Sequence, residues 1–162
     1  MLIRSIRPAD EAAYLNILDR TSDDDRYFRF FRAIDRFDHR DLLRFVETSA
    51  DTIGLIAEEA PGPLGTAHAF VAGEVAEFSV VVAADARRRG VAQALVERLF
   101  VSLHARGVRA IVAFSRAENV GFERLARRLG MTPTHAPGDG GVVTWSLELA
   151  NGAIDAAEAT AA

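Results

Sequence analysis

The chain has 162 residues, of which 49% are apolar and 26% charged, with a formal net charge of −4; that is enough for one domain with a core of its own, and the negative balance argues against attraction of the whole molecule to nucleic acid. It contains no cysteine, which excludes disulfides, thiolate metal sites and a cysteine nucleophile. No apolar run is long enough to span a bilayer, and the start, MLIRSIRPADEAAYL, lacks the apolar core and cleavage site of a signal peptide, so a cytoplasmic protein without membrane contact is expected.

Leu2 to Arg7 alternates weakly and predicts a first strand, ended by Pro8. Asp10 is placed to cap a helix running to about Arg20. Ser22 with Asp25 resembles a capping box opening the helix DDDRYFRFFR, and Asp38 with Asp41 offers another before HRDLLRFVE. TIGLIAEE predicts a strand and APGPLG a turn. GTAHAFVAGEVAEFSVVV predicts two strands joined at Gly73 and Glu74. In that register Ala72 faces Val75, Phe70 faces Glu77 and His68 faces Ser79.

Val91, Leu95, Leu99 and Leu103 recur on one face of a helix from Gly90 to about Arg106, and Gly107 is placed to end it. VRAIVAF predicts a strand, and Asn119 caps a helix ending at Gly130. MTPTHA and VVTWSLEL predict closing strands around PGDGG. Residues 1–150 are expected to form one domain, with 151–162 a mobile tail. The histidines His39, His68, His104 and His135 show no metal-ligand spacing. All 19 Lys and Arg positions are arginine, which fits a GC-rich coding sequence.

The stretch VVVAADARRRGVAQALVERLF poses a question. Cations oppose the dipole at a helix start, yet Arg87, Arg88 and Arg89 stand directly before Gly90. A glycine admits close approach to the backbone, free N–H groups at a helix start bind anions, and guanidinium groups bind phosphate bidentately. A phosphate or pyrophosphate guest and an exposed basic loop are about equally supported by these residues alone. Neither the GxxxxGK[ST] loop nor the GxGxxG fingerprint is present.

The order AEFSVVV, AADARRRGVA, QALVERLFVSLHARG, RAIVAFS, ENVGFERLARRLGM resembles the GCN5-related N-acetyltransferase (GNAT) superfamily. Its phosphate-loop pattern [Q/R]-x-x-G-x-[G/A] is met by Arg87, Gly90 and Ala92, and its downstream Asn-containing helix by Asn119, Leu125, Leu129 and Gly130. Together with DDRYFRFFRAIDRFDHRDLLRFVE, the same segments resemble the acetyltransferase domain of bacterial Pat-type protein lysine acetyltransferases, a domain often fused to others. The resemblance implies an α/β (α+β) GNAT fold: a central mixed, mostly antiparallel sheet with splayed central strands, flanked by helices. It implies acetyl-CoA as co-substrate and no metal. The N–H groups of Arg87, Arg88, Arg89, Gly90, Val91 and Ala92 would hold the pyrophosphate, the backbone of Val80, Val81 and Val82 would pair with the pantetheine amides, and Asn119 would lie near the pantetheine or thiol end.

Transfer to an amine needs a proton acceptor, because a lysine amine with a pKa of about 10.4 arrives protonated. Glu77 interrupts an apolar strand, and the resemblance makes it the general base. The tyrosine acid of many relatives corresponds to Ala126, so solvent would protonate the leaving thiolate. Direct attack in a ternary complex is expected, on a protein lysine. Two alternatives stand beside this: a small cationic amine, received by Asp23, Asp24 and Asp25, and a catalytically idle acyl-CoA-binding domain. A homodimer stays open. His68, diagonal to Glu77, is a candidate proton relay, against the plainer expectation of a histidine bonded to a neighbour. Arg26, Arg29 and Arg32 read as a solvated face, Tyr27, Phe28, Phe30 and Phe31 as core or channel wall, and Trp145 as packing.

Overall fold

The computed structural model describes residues 1–30, 45–47, 49–135 and 140–149. The expected cap at Asp38 and Asp41, Arg32, Phe31 and the tail 151–162 lie outside them. Seven strands form one sheet in the order β1-β2-β3-β4-β5-β7-β6: β1 Leu2–Ser5, β2 Thr52–Glu59, β3 Gly62–Ala72, β4 Val75–Val82, β5 Ala110–Arg116, β6 Thr132–Thr134 and β7 Val142–Glu148. Among the described residues the only parallel pairing is β4 with β5; the others are antiparallel. The helices are α1 Glu11–Asp19, α2 Asp23–Phe30, α3 Val91–Ala105 and α4 Val120–Arg128. This mixed, mostly antiparallel sheet flanked by helices is the architecture that the resemblance implies.

The two sheet faces are covered by different helices. Ala67, Ala69, Ala76, Phe78, Ile111 and Ala113 pack with Leu95, Leu99 and Leu103 of α3 and Ala126 of α4. On the other face Ile56 and Val81 pack with Tyr14, Ile17 and Leu18 of α1 and with Phe45. The β3–β4 hairpin has the expected register, with Phe70 opposite Glu77 and His68 opposite Ser79, and turns at Gly73 with φ +62°.

Among the described residues the helix signals act with one exception. Ser22 and Asp25 form a reciprocal capping box, Ser22 N donating to Asp25 Oδ2 at 3.0 Å and Asp25 N to Ser22 Oγ at 3.2 Å. Asn119 Oδ1 accepts from Phe122 N at 3.0 Å. Asp10 stands at the N-cap position of α1 but makes no side-chain cap bond. Its carboxylate is taken by Arg7 N and by both terminal nitrogens of Arg4, a charged pairing stronger than a neutral cap. The turn expected over APGPLG is shorter, because Gly62 to Gly65 already belong to β3, and β1 ends at Ser5 rather than Arg7.

Candidate active site

The β4–β5 pairing covers only three positions, Val75 with Ala110, Ala76 with Ile111 and Glu77 with Val112. Beyond Val112, β5 stays paired with β7 through Arg116. From Phe78 to Val82 the edge of β4 that faces β5 therefore has no strand partner among the described residues. This parting opens a cleft of about 840 Å³ lined by Glu77, Ser79, Val80, Val81 and Val82 of β4, by Arg87, Arg88, Gly90, Val91 and Ala92, and by Asn119 with the cleft side of α4. All the sequence-predicted site residues meet there except Arg89, which does not line it. Val81 turns its side chain into the α1 core, whereas Val80 and Val82 pack on the α3 side.

The loop leads into α3 with its donors unspent. Ala94 N is the first amide of the helix to reach a carbonyl, Gly90 O at 3.0 Å. The amides of residues 88–93 bond to no described residue. Arg88 has φ +57° and Gly90 φ +80°, left-handed conformations that turn the chain tightly. A Cβ built on Gly90 would meet nothing within 4 Å. Six free amides, a helix N-terminus and open space fit a pyrophosphate.

The three arginines differ. Arg87 is paired with Asp25 of α2 and Arg89 with Glu59 of β2, and Arg88 makes no ion pair with a described residue. The Arg89 guanidinium, helped by the N-terminal amine, holds the Glu59 carboxyl below the usual carboxylate range. The acidic pocket expected for a cationic small amine is largely spent: Asp23 pairs with Arg26 and Asp25 with Arg87, while Asp24 lines the cleft. Arg26 also donates to the carbonyls of Leu18 and Thr21, so it holds the α1–α2 corner rather than standing on a solvated face.

The Glu77 side chain is exposed and hydrogen-bonds to no described residue. His68 shares its sheet face but is only 3% exposed. Its Nε2 is 2.7 Å from Phe45 O, and its ring stands edge-on to Tyr14 and Phe45. It does not line the cleft, which corrects the relay role considered for it. Ala126 is fully buried and Trp145 is core, its Nε1 donating to Ser115 Oγ at 2.9 Å. Sequence reasoning missed Gln93, Arg124 and Arg128, which also line the cleft; Arg128 donates to Gln93 across the α3–α4 junction at 3.3 Å. The spacing of Gly121, Arg124 and Arg128 on one helix face was the available signal.

A strand that parts from its neighbour above a glycine-capped helix start defines the class. Residues 14–131 match the acetyltransferase (GNAT) family, and the chain belongs to that family, as an acetyl-CoA-dependent N-acetyltransferase. The GNAT domain of Streptomyces lividans PAT is similar to it over 91% of this chain and 89% of that one, with a TM-score of 0.85 and 25% identity. YncA of Salmonella typhimurium, solved with its cofactor acetyl-CoA, shares the fold with a TM-score of 0.72 at 24% identity over 93% and 95% of the two chains. A ribosomal-protein-alanine N-acetyltransferase from Brucella melitensis does so with a TM-score of 0.74 at 21% identity over 92% and 100%.

Proposed function

We propose that residues 1–150 act as one catalytic domain that acetylates a protein lysine by direct attack in a ternary complex, with Glu77 as general base. The observation that carries this is the position of Glu77. It is the last β4 residue in register with β5, so its carboxylate stands where the strands part and where the unpaired β4 edge leads to the free amides of the loop. The resemblance to the PAT domain supports a protein lysine as acceptor.

Acetyl-CoA, when bound, supplies a thioester carbonyl open to attack. The amides from Arg88 to Ala92 would hold its pyrophosphate, the Arg87 amide expected to join them being taken by Ala84 O at 3.4 Å; the backbone of Val80 to Val82 would pair with its pantetheine amides, and Asn119, whose Oδ1 is committed to Phe122 N, keeps its NH₂ to donate nearby. Glu77 takes one proton from the incoming ammonium; the neutral amine nitrogen then bonds to the carbonyl carbon, the carbon–sulfur bond breaks to release the thiolate, and the nitrogen gives up its second proton to solvent. No tyrosine lines the cleft among the described residues, and a thiolate with a pKa near 8.5 leaves readily, so solvent returns its proton. Glu77→Gln keeps the shape and loses the base: turnover falls by roughly 10²–10⁴-fold, while acetyl-CoA affinity by calorimetry holds within about twofold. Near-normal turnover in that variant removes Glu77 from the mechanism.

A further inference from the structure

The face that carries Glu77 continues past the cleft as an apolar apron. Residues paired in register share a sheet face, so Phe70, Ala72, Val75, Val112 and Phe114 stand on the same side as Glu77. Phe70, Val75 and Phe114 are each 42% exposed, although α1 buries the Ile56 and Val81 end of this same face. Phe114 lines the cleft, whereas Phe70, Ala72 and Val75 lie outside it.

Among the β3 and β4 residues of these rows Glu77 is the only carboxylate; Glu148 faces Ala110 at the far edge, and Arg116 stands two residues beyond Phe114 on the same face of β5. Arg116 is paired with Glu118 at 3.4 Å and donates to Gly140 O, so its charge is partly offset. The remaining neighbours on β7 and β6 are hydroxyl side chains, Thr144, Ser146, Thr132 and Thr134.

We infer that Phe70 and Val75, with Phe114, form a docking surface for the acceptor polypeptide, which receives apolar side chains flanking the target lysine. The inference rests on Glu77 being the base and the acceptor being a protein lysine. Its occupant follows from continuity: an amine that reaches Glu77 must lie against this face. A small amine held within the cleft would not cover Phe70 or Val75. A polypeptide continues past its lysine and does cover them. Burying one flanking aliphatic side chain there is expected to change affinity by about tenfold or more.

The test compares two short synthetic peptides with a central lysine, one flanked by leucine and valine, the other by serine and glycine, each with acetyl-CoA. The native enzyme should prefer the apolar-flanked peptide by about tenfold in kcat/KM, mainly through KM. Phe70→Ser and Val75→Ser should each bring that ratio towards one, and Phe70→Leu should keep most of it. Thermal unfolding checks that the variants are folded, which their exposed positions favour. Absence of a preference in the native enzyme, or an unchanged preference in both serine variants, overturns the docking surface and leaves Glu77 chemistry standing. Failure to acetylate any lysine peptide or protein, with turnover of a small amine retained, overturns the protein-lysine reading and this inference with it.

Discussion

Gly90 and Gly107 form a matched pair that separates binding from stability. They cap opposite ends of α3, have φ +80° and +83°, and in both a Cβ would meet nothing within 4 Å. Alanine at either position therefore costs left-handed backbone strain without a clash, about 1–2 kcal/mol. For a chain of this size each kcal/mol lowers Tm by roughly 2–4 °C, so both variants should melt about 2–8 °C lower. Only Gly90 lines the cleft, and its Cβ would stand among the amides proposed to hold the pyrophosphate. Losing one or two charge-assisted hydrogen bonds, about 1.5–3 kcal/mol each, weakens acetyl-CoA binding by roughly 10- to 10³-fold or more. Gly90→Glu adds a negative charge and should abolish binding. Calorimetry on Gly90→Ala, Gly90→Glu and Gly107→Ala, alongside thermal unfolding, reads both quantities. Unchanged affinity in a folded Gly90→Glu, or an equal loss in Gly107→Ala, refutes the phosphate site.

Arg4→Ala should cost about 1–3 kcal/mol, because Arg4 ties Asp10 to Glu58 through four hydrogen bonds of 2.7–3.0 Å. The Arg4 guanidinium holds the Asp10 carboxyl below the usual carboxylate range, so this stabilisation is complete above the unfolded pKa of about 3.9 and is lost as pH falls through the lower folded value. The difference in Tm between native and variant protein should therefore be largest near neutrality and shrink in acid; a pH-independent difference contradicts it. His68→Ala should destabilise by about 2–4 kcal/mol, through the lost ring packing and the lost bond to Phe45 O. At temperatures where the variant is folded, the pH profile of its turnover should match the native one. A displaced profile would restore the relay.

The hairpin register was legible because a Gly-Glu turn between two alternating runs leaves one pairing that keeps Ala69, Ala76 and Phe78 on a buried face. That pairing fixes which face Glu77 occupies. The parting of β4 from β5 was legible only through family resemblance: nothing in the residues of VAEFSVVV says that pairing stops after Glu77. His68 meets the plainer expectation of a histidine bonded to a neighbour, but which neighbour was hidden for a related reason. Its neighbours Tyr14, Phe45 and Gly54 come from distant parts of the chain, and Gly54, directly opposite it on β2, leaves room that a Cβ would fill, at 3.1 Å from the His68 ring and 2.3 Å from Ile6 Cγ2. Asp10 misled because a cap signal is local, whereas its strongest partner, Arg4, lies on another element.

The arginine cluster shows the same limit in its electrostatics. Three adjacent cations at a helix N-terminus repel one another and the helix dipole. The chain offsets this with two carboxylates, Asp25 and Glu59, which are 62 and 30 residues away from their arginines and so could not be assigned from the sequence. Each exposed pair is worth little as stability; its consequence is where the charge remains. Asp25 sits in the Ser22 capping box, and Glu59 ends β2, so both anchors belong to ordered elements and hold the loop from two sides. With Arg87 and Arg89 paired, Arg88, at φ +57°, is the loop arginine that pairs with no described residue, beside the amides of residues 88–93, which likewise bond to none. Attraction for an anion then comes chiefly from oriented backbone dipoles, which need no side chain to reorganise as the phosphate arrives.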